Sequence, residues 1–511
     1  MVFTTCLVSC QPPRQNSLLT IASAGKIKSL DPAQASTFDA LQLLSALGDP
    51  LYRLSSKGKL EPRLASGPPK VTDNGLTITI PLRKNIVFHD GTEFNSAAMA
   101  FSLRRFIEIG TLNYIVAGKI DKIEIINNHT IRLRLTRPSS SLIGLLTSTN
   151  LTPVSPAAYQ KHKDKFLNKN FIGTGPYQLK SFNSQQKRIE PFPHYWGDAP
   201  SNNGINFINL SNSTALYGAL LTGEVDVLLS NSIDEDQRLA LHKLSDQGKL
   251  VEGKGRQLEI GYITLLSNKA PLNNQLIRKA LSYSLNRQLI SKRVSYGLRE
   301  PLRSLIPPSL QKFKSEAWPT YDPEKAKFLL AKAGYCNKKS LDLKLTFRSN
   351  IPADKLLAIT WRSQLEKDLP NCINLSIEGI ESTSVYRQLG EGNFEAVVLD
   401  WRGAYPDPEA YLTPLLSCNS AKEFVCEKGE ASISGSFWTH PGLEQEIRRT
   451  DSLTGVARIK ALNNIEQIAA KGSAYLPVWL VTPKAWAQVG FNTPKFDGAG
   501  NLQMHKLKVI D

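Results

Sequence analysis

The sequence predicts an α/β protein with mixed sheets. Period-two alternation of apolar residues marks strands in the first third of the chain. Apolar residues at helical spacing, bracketed by capping signals, mark helices in the second half. Strand-like runs at 341–347 and 394–401 then follow those helices along the chain. At 511 residues the chain is long enough for two or more domains and a large core.

Leu76, Ile78, Ile80 and Leu82 alternate with Thr77, Thr79 and Pro81, which predicts a half-buried strand. Its proline, which cannot donate to a ladder, predicts a sheet edge. A helix is expected around 95–106. The runs 123–126 and 130–135 flank Asn127-Asn128, a hairpin signal because asparagine tolerates positive φ. Residues 46–171 therefore read as a small β-rich subdomain, and 172–257 return to mixed α and β.

Ile277, Ala280, Leu281, Ser284 and Leu285 form one stripe at helical spacing. Asp322 as N-cap, Pro323 as the first helical residue and Gly334 past the end bracket another helix, with Ala326, Leu329, Leu330 and Ala333 facing the core. The run 341–347 alternates, whereas 394–401 is almost continuously apolar. Extended segments at 258–266 and 477–482 are candidates for crossings between two lobes. No internal repeat is visible.

Composition narrows the function. Hydrophobic residues make up 41% and charged residues 21%, and no run reaches the roughly 18 apolar residues of a membrane span. The net charge is +17, but Lys and Arg are scattered, with no basic helix face and no basic–aromatic RNA signature. That pattern speaks against nucleic acid. It reads as a solvated basic surface, or as a mild attraction to anionic headgroups or wall polymer.

Six cysteines fall into two groups. Cys336, Cys372, Cys418 and Cys426 show no zinc spacing. In an exported protein they form two disulfides, with Cys418–Cys426 as the natural local pair and Cys336–Cys372 left over, or they stay buried thiols; connectivity is open at this level. Leu7-Val8-Ser9-Cys10 resembles a bacterial lipobox, but its apolar stretch is short and lacks a basic leader. Residues 1–10 are therefore expected to be a truncated lipoprotein signal with Cys10 as the lipidated residue, followed by a polar tether from Gln11.

Signatures of catalysis are missing. There is no G-x-S-x-G elbow, H-E-x-x-H, Walker loop or dinucleotide fingerprint. Ser23-Ala24-Gly25-Lys26 satisfies S-x-x-K but lacks the companion motifs. The seven histidines do not pair at metal-ligating spacing. No catalytic residue, metal site or cofactor is expected. One loop suits a binding cleft: in 400–408 a strand ends, Trp401 and Tyr405 flank a glycine, and prolines follow. The other reading of that loop is an ordinary strand-to-loop corner with Trp401 in the core.

Several segments carry a further signal: Leu30-Asp31-Pro32, the run 81–92 (PLRKNIVFHDGT), Gly173-Thr174-Gly175-Pro176-Tyr177, His194-Tyr195-Trp196-Gly197-Asp198-Ala199-Pro200, Gly223-Glu224-Val225-Asp226-Val227, the run 278–287 and the run 321–335. In this order they resemble the family-5 extracellular solute-binding proteins of ABC transporters, the group of oligopeptide-, dipeptide- and nickel-binding proteins. The resemblance spans about residue 27 to residue 480. It implies a type II periplasmic-binding-protein fold, two lobes with mixed sheets joined by two hinge strands. Lobe I would take 11–45, 172–260 and 484–511, with 46–171 as its extra subdomain, and lobe II 261–483.

The resemblance also implies a site. In the peptide binders the segment equivalent to 400–408 lies along the peptide as an added strand. Its pattern resembles G-W-x-x-D-Y-x-x-P, whose aspartate pairs with the peptide amino group. Here Trp401, Tyr405 and Pro408 are in register, but Ala404 stands where the aspartate belongs. Losing that carboxylate disfavours a buried ammonium, and Arg402 points to an anionic or blocked group. Asp400, Gly403, Ile27 and Trp479 complete the expected ligand contacts, with Trp438 as a further aromatic. The implied protein is a monomeric component of an ABC importer, periplasmic or cell-surface and lipid-anchored. It would hand a small solute or short peptide to a permease and ATPase complex. The alternatives are a non-peptide solute (metal chelate, opine-like compound or glycoconjugate) or an extracellular hydrolase.

Overall fold

The computed structural model describes residues 18–162, 165–310, 316–337 and 339–510; Cys10, the expected lipidation site, lies outside them. Three sheets organise the chain. The first has seven strands in the order Leu250–Lys254, Lys484–Gln488, Val227–Leu229, Leu19–Ser23, Ile205–Asn209, Gln186–Pro191, Tyr177–Phe182. Its centre is parallel, Leu19–Ser23 running alongside both Ile205–Asn209 and Val227–Leu229. That central strand reads Leu-Thr-Ile-Ala-Ser because both of its faces are covered. Ile21 packs beneath the helix Phe38–Leu47, and Ala22 packs with Leu216, Leu220 and Leu241 of the helices Ser213–Leu221 and Glu235–Asp246.

The second sheet has six strands in the order Glu300–Pro301, Tyr475–Val481, Glu259–Leu265, Ala396–Arg402, Leu341–Arg348, Ile373–Ile380. Alternation sends Ile263, Val398 and Trp479 to one face, among the helices Gln275–Ser284, Arg287–Ser295, Pro323–Lys332 and Pro352–Asp368. Ile260, Val397 and Leu399 go to the other, beneath Glu409–Leu416, Leu443–Thr450 and Gly455–Gly472. Capping follows the expected chemistry: the Asp322 side chain accepts from Lys325 N at 2.9 Å, Pro323 opens the helix, and Gly334 turns at φ +93°.

The third sheet has four strands, Lys70–Thr72, Thr77–Pro81, Thr130–Leu135 and Ile120–Asn127, packed on the helix Ser96–Ile109. Two expectations need correction here. The strand ending in Pro81 is interior, not an edge. Pro81 is tolerated because Lys70–Thr72 pairs only as far as Thr79, so no ladder partner meets the missing N–H. The hairpin forms, but its turn is Asn128-His129 and neither asparagine has positive φ. Asn127 acts instead through its side chain, which accepts from His129 N at 2.9 Å.

The chain passes from the first sheet to the second through residues 255–258 and returns through 482–483. The long strands Glu259–Leu265 and Tyr475–Val481 belong wholly to the second sheet, where they pair with each other. At the crossing, Gly255 N donates to Pro483 O at 2.8 Å.

Three of the segments that carry the resemblance, 81–92, 173–177 and 194–200, pack into one scaffold knot. His89 accepts from Gly173 N at Nδ1 and faces Gly175 O through Nε2, at 3.3 and 3.2 Å. The guanidinium groups of Arg63 and Arg83 lie 4.7 and 4.9 Å from the Trp196 ring centre, and Trp196 donates to Asp49 at 3.0 Å. Asp31 is fully buried and takes both prongs of Arg105 at 2.8 and 2.7 Å. Disulfides join Cys336 to Cys372 and Cys418 to Cys426.

Candidate ligand-binding site

The strand Ala396–Arg402 ends where the two large sheets and the third sheet's subdomain meet, and its last residues divide between the sheet's faces. Asp400, on the face of Trp479, accepts from Arg348 at 2.7 Å. The same guanidinium also holds Asp354 at 2.7 and 3.2 Å and Tyr386 Oη at 2.8 Å. Glu259 lies opposite Arg402 in the ladder, and burial together with nearby Asp400 pushes its carboxyl above the usual range. Arg402 crosses to the first sheet's body, stacking 5.2 Å from the Phe38 ring and donating to Ala499 O.

Trp401 turns to the other face and donates its indole N–H to Ala410 O at 2.8 Å, closing the loop onto the helix that follows. Gly403 is required by that closure. A Cβ there would stand 2.9 Å from both the Ala410 and Tyr411 side chains. Ala404 offers its carbonyl to Ser148 Oγ at 3.2 Å. Tyr405 is buried; its hydroxyl donates to Glu409 and lies 3.3 Å from Lys119 Nζ, which itself reaches Glu409 at 2.9 Å. Residues 402–405 thus touch both the first sheet's body and the subdomain.

The remaining expected contacts are placed differently. Trp479 is 2% exposed, covers Gly261 and carries Arg299 4.9 Å over its ring, while Arg299 reaches Glu235 of the first body at 2.6 Å. Gly261 pairs with Asp400 on one side and Trp479 on the other, so those two residues share a wall. Ile27 is not brought to it, because its side chain is buried in the core of the first body. Trp438 is buried against Gly472 rather than displayed on a loop.

A cavity of about 400 Å³ opens beside this loop. Pro406, Asp407 and Pro408 form one wall, Gly455, Arg458, Ile459, Leu462 and Asn463 a second, and Leu54, Gly58, Arg256 and Leu310 the rest. Its size falls in the range of small-molecule sites. Sequence reasoning missed Arg256, Arg458 and Gly58, which lies at the tip of the hairpin between the strands Tyr52–Leu54 and Leu60–Pro62. No motif marks them, and they meet only through the packing of distant segments.

The profile for bacterial extracellular solute-binding proteins, family 5 Middle, matches residues 59–423. The chain belongs to that family. This family-5 protein is 28% identical over 425 residues to the glutathione-binding protein GsiB of Escherichia coli O6:K15:H31, covering 81% of this chain and 80% of the relative. Its fold matches the dipeptide-binding protein of Pseudoalteromonas sp. SM9913, solved with Met-Leu, with a TM-score of 0.82 at 22% identity, covering 97% of this chain and 100% of the other. It likewise matches NikA of Brucella suis, solved with Fe(III)-EDTA, with a TM-score of 0.84 at 20% identity and coverage of 97% and 100%. The two-lobed periplasmic-binding-protein fold expected from the sequence is therefore the fold of this chain. The family-5 protein is the substrate-binding component of an ABC importer.

Proposed function

We propose that this family-5 protein captures a peptide or peptide-like solute between its two bodies and releases it intact to a membrane permease. Lobe I is then residues 11–45, 172–260 and 484–511 with the subdomain 46–171, and lobe II is 261–483. The observation that supports this is the cavity of about 400 Å³, whose walls come from the subdomain, the crossing and the second body together. Such a space exists only while the bodies are closed, so a ligand filling it favours closure. GsiB and the dipeptide binder are named for peptide ligands, which supports the peptide class.

The loop 400–405 contributes the interlobe contacts, with Trp479 and Asp400 on the adjoining wall. Binding proceeds without chemistry, as a monomer, with a lipid at Cys10 holding the protein to the outer face of a membrane. Small-angle scattering of the purified protein with glutathione and with a dipeptide library tests the central reading. Contraction with at least one peptide, recovered unmodified by mass spectrometry, is the expected result. A profile unchanged by every peptide, or a peptide recovered cleaved, would overturn it.

A further inference from the structure

The acid that lines the cavity and two that stand beside it are occupied from within. Asp400 is held by Arg348 at 2.7 Å, Glu409 by Lys119 at 2.9 Å, and Asp407 by both prongs of Arg458 at 2.9 and 2.7 Å. Among the described residues Asp407 is the acid that lines the cavity; Asp400, Glu409 and Glu259 stand outside its lining. A ligand ammonium entering here would have to displace an internal cation from a desolvated pair, an unfavourable exchange.

Arg256 is not matched in the same way. Arg256 lines the cavity, and among the described residues its hydrogen-bond partner is a neutral one, Ser309 O. No carboxylate lies within ion-pair distance of it in that set. Burial accordingly pulls its guanidinium below the usual arginine range. Gly58, at φ +75°, stands where a Cβ would lie 2.9 Å from Arg256 Nη1. The absent side chain leaves the planar head room beside the hairpin tip. Two more lining groups are short of partners: Arg458 Nε and Asn463 Oδ1 are both buried without a hydrogen bond. Around these polar atoms the walls are apolar, with Leu54, Leu310, Pro406, Ile459 and Leu462.

We propose that Arg256 anchors a carboxylate of the captured solute, whose apolar body fills the rest of the cavity. The inference rests on the interlobe capture reading and names its ligand class: a carboxylate-bearing, apolar solute with no free amine at this site. An arginine fork presents two parallel N–H donors, matched to a planar carboxylate. Because Arg256 sits in the crossing and is held by Ser309 of the second body, an anion bound there contacts both bodies at once.

Calorimetric titration of the whole protein with matched probes tests this: N-acetyl-leucyl-leucine, its C-terminal amide and the free-amine dipeptide. The acid is expected to bind about tenfold or more tightly than the amide. Arg256→Gln, which keeps a donor for Ser309 O, is expected to erase that preference. Equal binding of acid and amide by the unaltered protein would overturn the inference while leaving peptide capture standing, even if the variant fails to fold. A preference that survives Arg256→Gln would place the anion elsewhere and likewise overturn it. If none of the three probes binds, both readings fall.

Discussion

Lys119 and Glu409, 290 residues apart in sequence, form a 2.9 Å ion pair that joins the subdomain to the second body, with the Tyr405 hydroxyl beside both. Their side chains are 8% and 6% exposed, so neither charge has ready recourse to water. Removing Lys119 would strand a buried carboxylate, at a cost of roughly 3–5 kcal/mol. Lys119→Met is therefore expected to shift the protein toward an open form, read as a larger radius of gyration. Adding Glu409→Gln should recover part of the effect. An unchanged scattering curve for the single variant would separate this pair from closure.

Trp401→Ala should lower both affinity and stability. The indole packs against the large core and its N–H fastens the loop to Ala410 O. A fully buried aromatic lost to alanine costs about 3–5 kcal/mol, and Trp401 is only partly buried, so the lower end applies. Trp401→Phe keeps most of the packing and loses about 1 kcal/mol with the hydrogen bond. Calorimetric unfolding with parallel ligand titration reads the two effects. Lost affinity with an unmoved melting temperature would mean that the loop is not fastened this way.

Ala404→Asp would restore the carboxylate of the peptide-binder pattern next to Tyr405. Binding of free-amine peptides is expected to improve relative to their N-acetyl forms. Competition between the two forms of one peptide measures it, and an unchanged ratio would count against a ligand amine near residue 404.

His89 makes stability depend on pH. Its neutral ring accepts at Nδ1 and donates at Nε2, and burial holds it down to about 4, against 6.5 for a free histidine. Between those values the unfolded chain binds the extra proton and the folded chain does not, so stability falls as pH drops from 6.5 toward 4. His505, also pulled to about 4, adds in the same direction. Melting temperatures from pH 7.5 to 4.5 should fall more steeply for the parent than for His89→Asn. Parallel curves would remove His89 as the source.

Gly175→Ala should destabilise the scaffold knot. A Cβ there would stand 2.3 Å from the Leu47 carbonyl carbon and 2.4 Å from Gly48 N, both backbone atoms that cannot turn aside. Overpacking of this kind costs roughly 1–3 kcal/mol or more. Chemical denaturation checks it, with Gly67→Ala, where φ is not positive and a Cβ would meet nothing nearer than 3.8 Å, as the comparison for backbone effects alone.

What the sequence disclosed was whatever depends on near neighbours. The cap at Asp322, the helix it opens and the strand ending at Trp401 follow from propensity and periodicity within a few residues. The fate of Pro81 depends on how far a partner strand extends, and that is settled by another part of the chain. The candidate loop 400–408 was legible as a loop, yet the direction of each side chain was not. Asp400 and Trp401 diverge because successive strand residues point to opposite faces. The cavity was the least legible, since Leu54, Arg256, Leu310, Asp407 and Arg458 come from five distant segments.

The hydrogen bond from Gly255 to Pro483 has a mechanical consequence. The two tethers between the halves run side by side and are stapled to each other, so they behave as one flexure strip. A strip of that kind bends readily out of its plane but resists swing within it. Cargo of different lengths would then be met by a change in the angle of opening, with the two rims kept in the same alignment throughout.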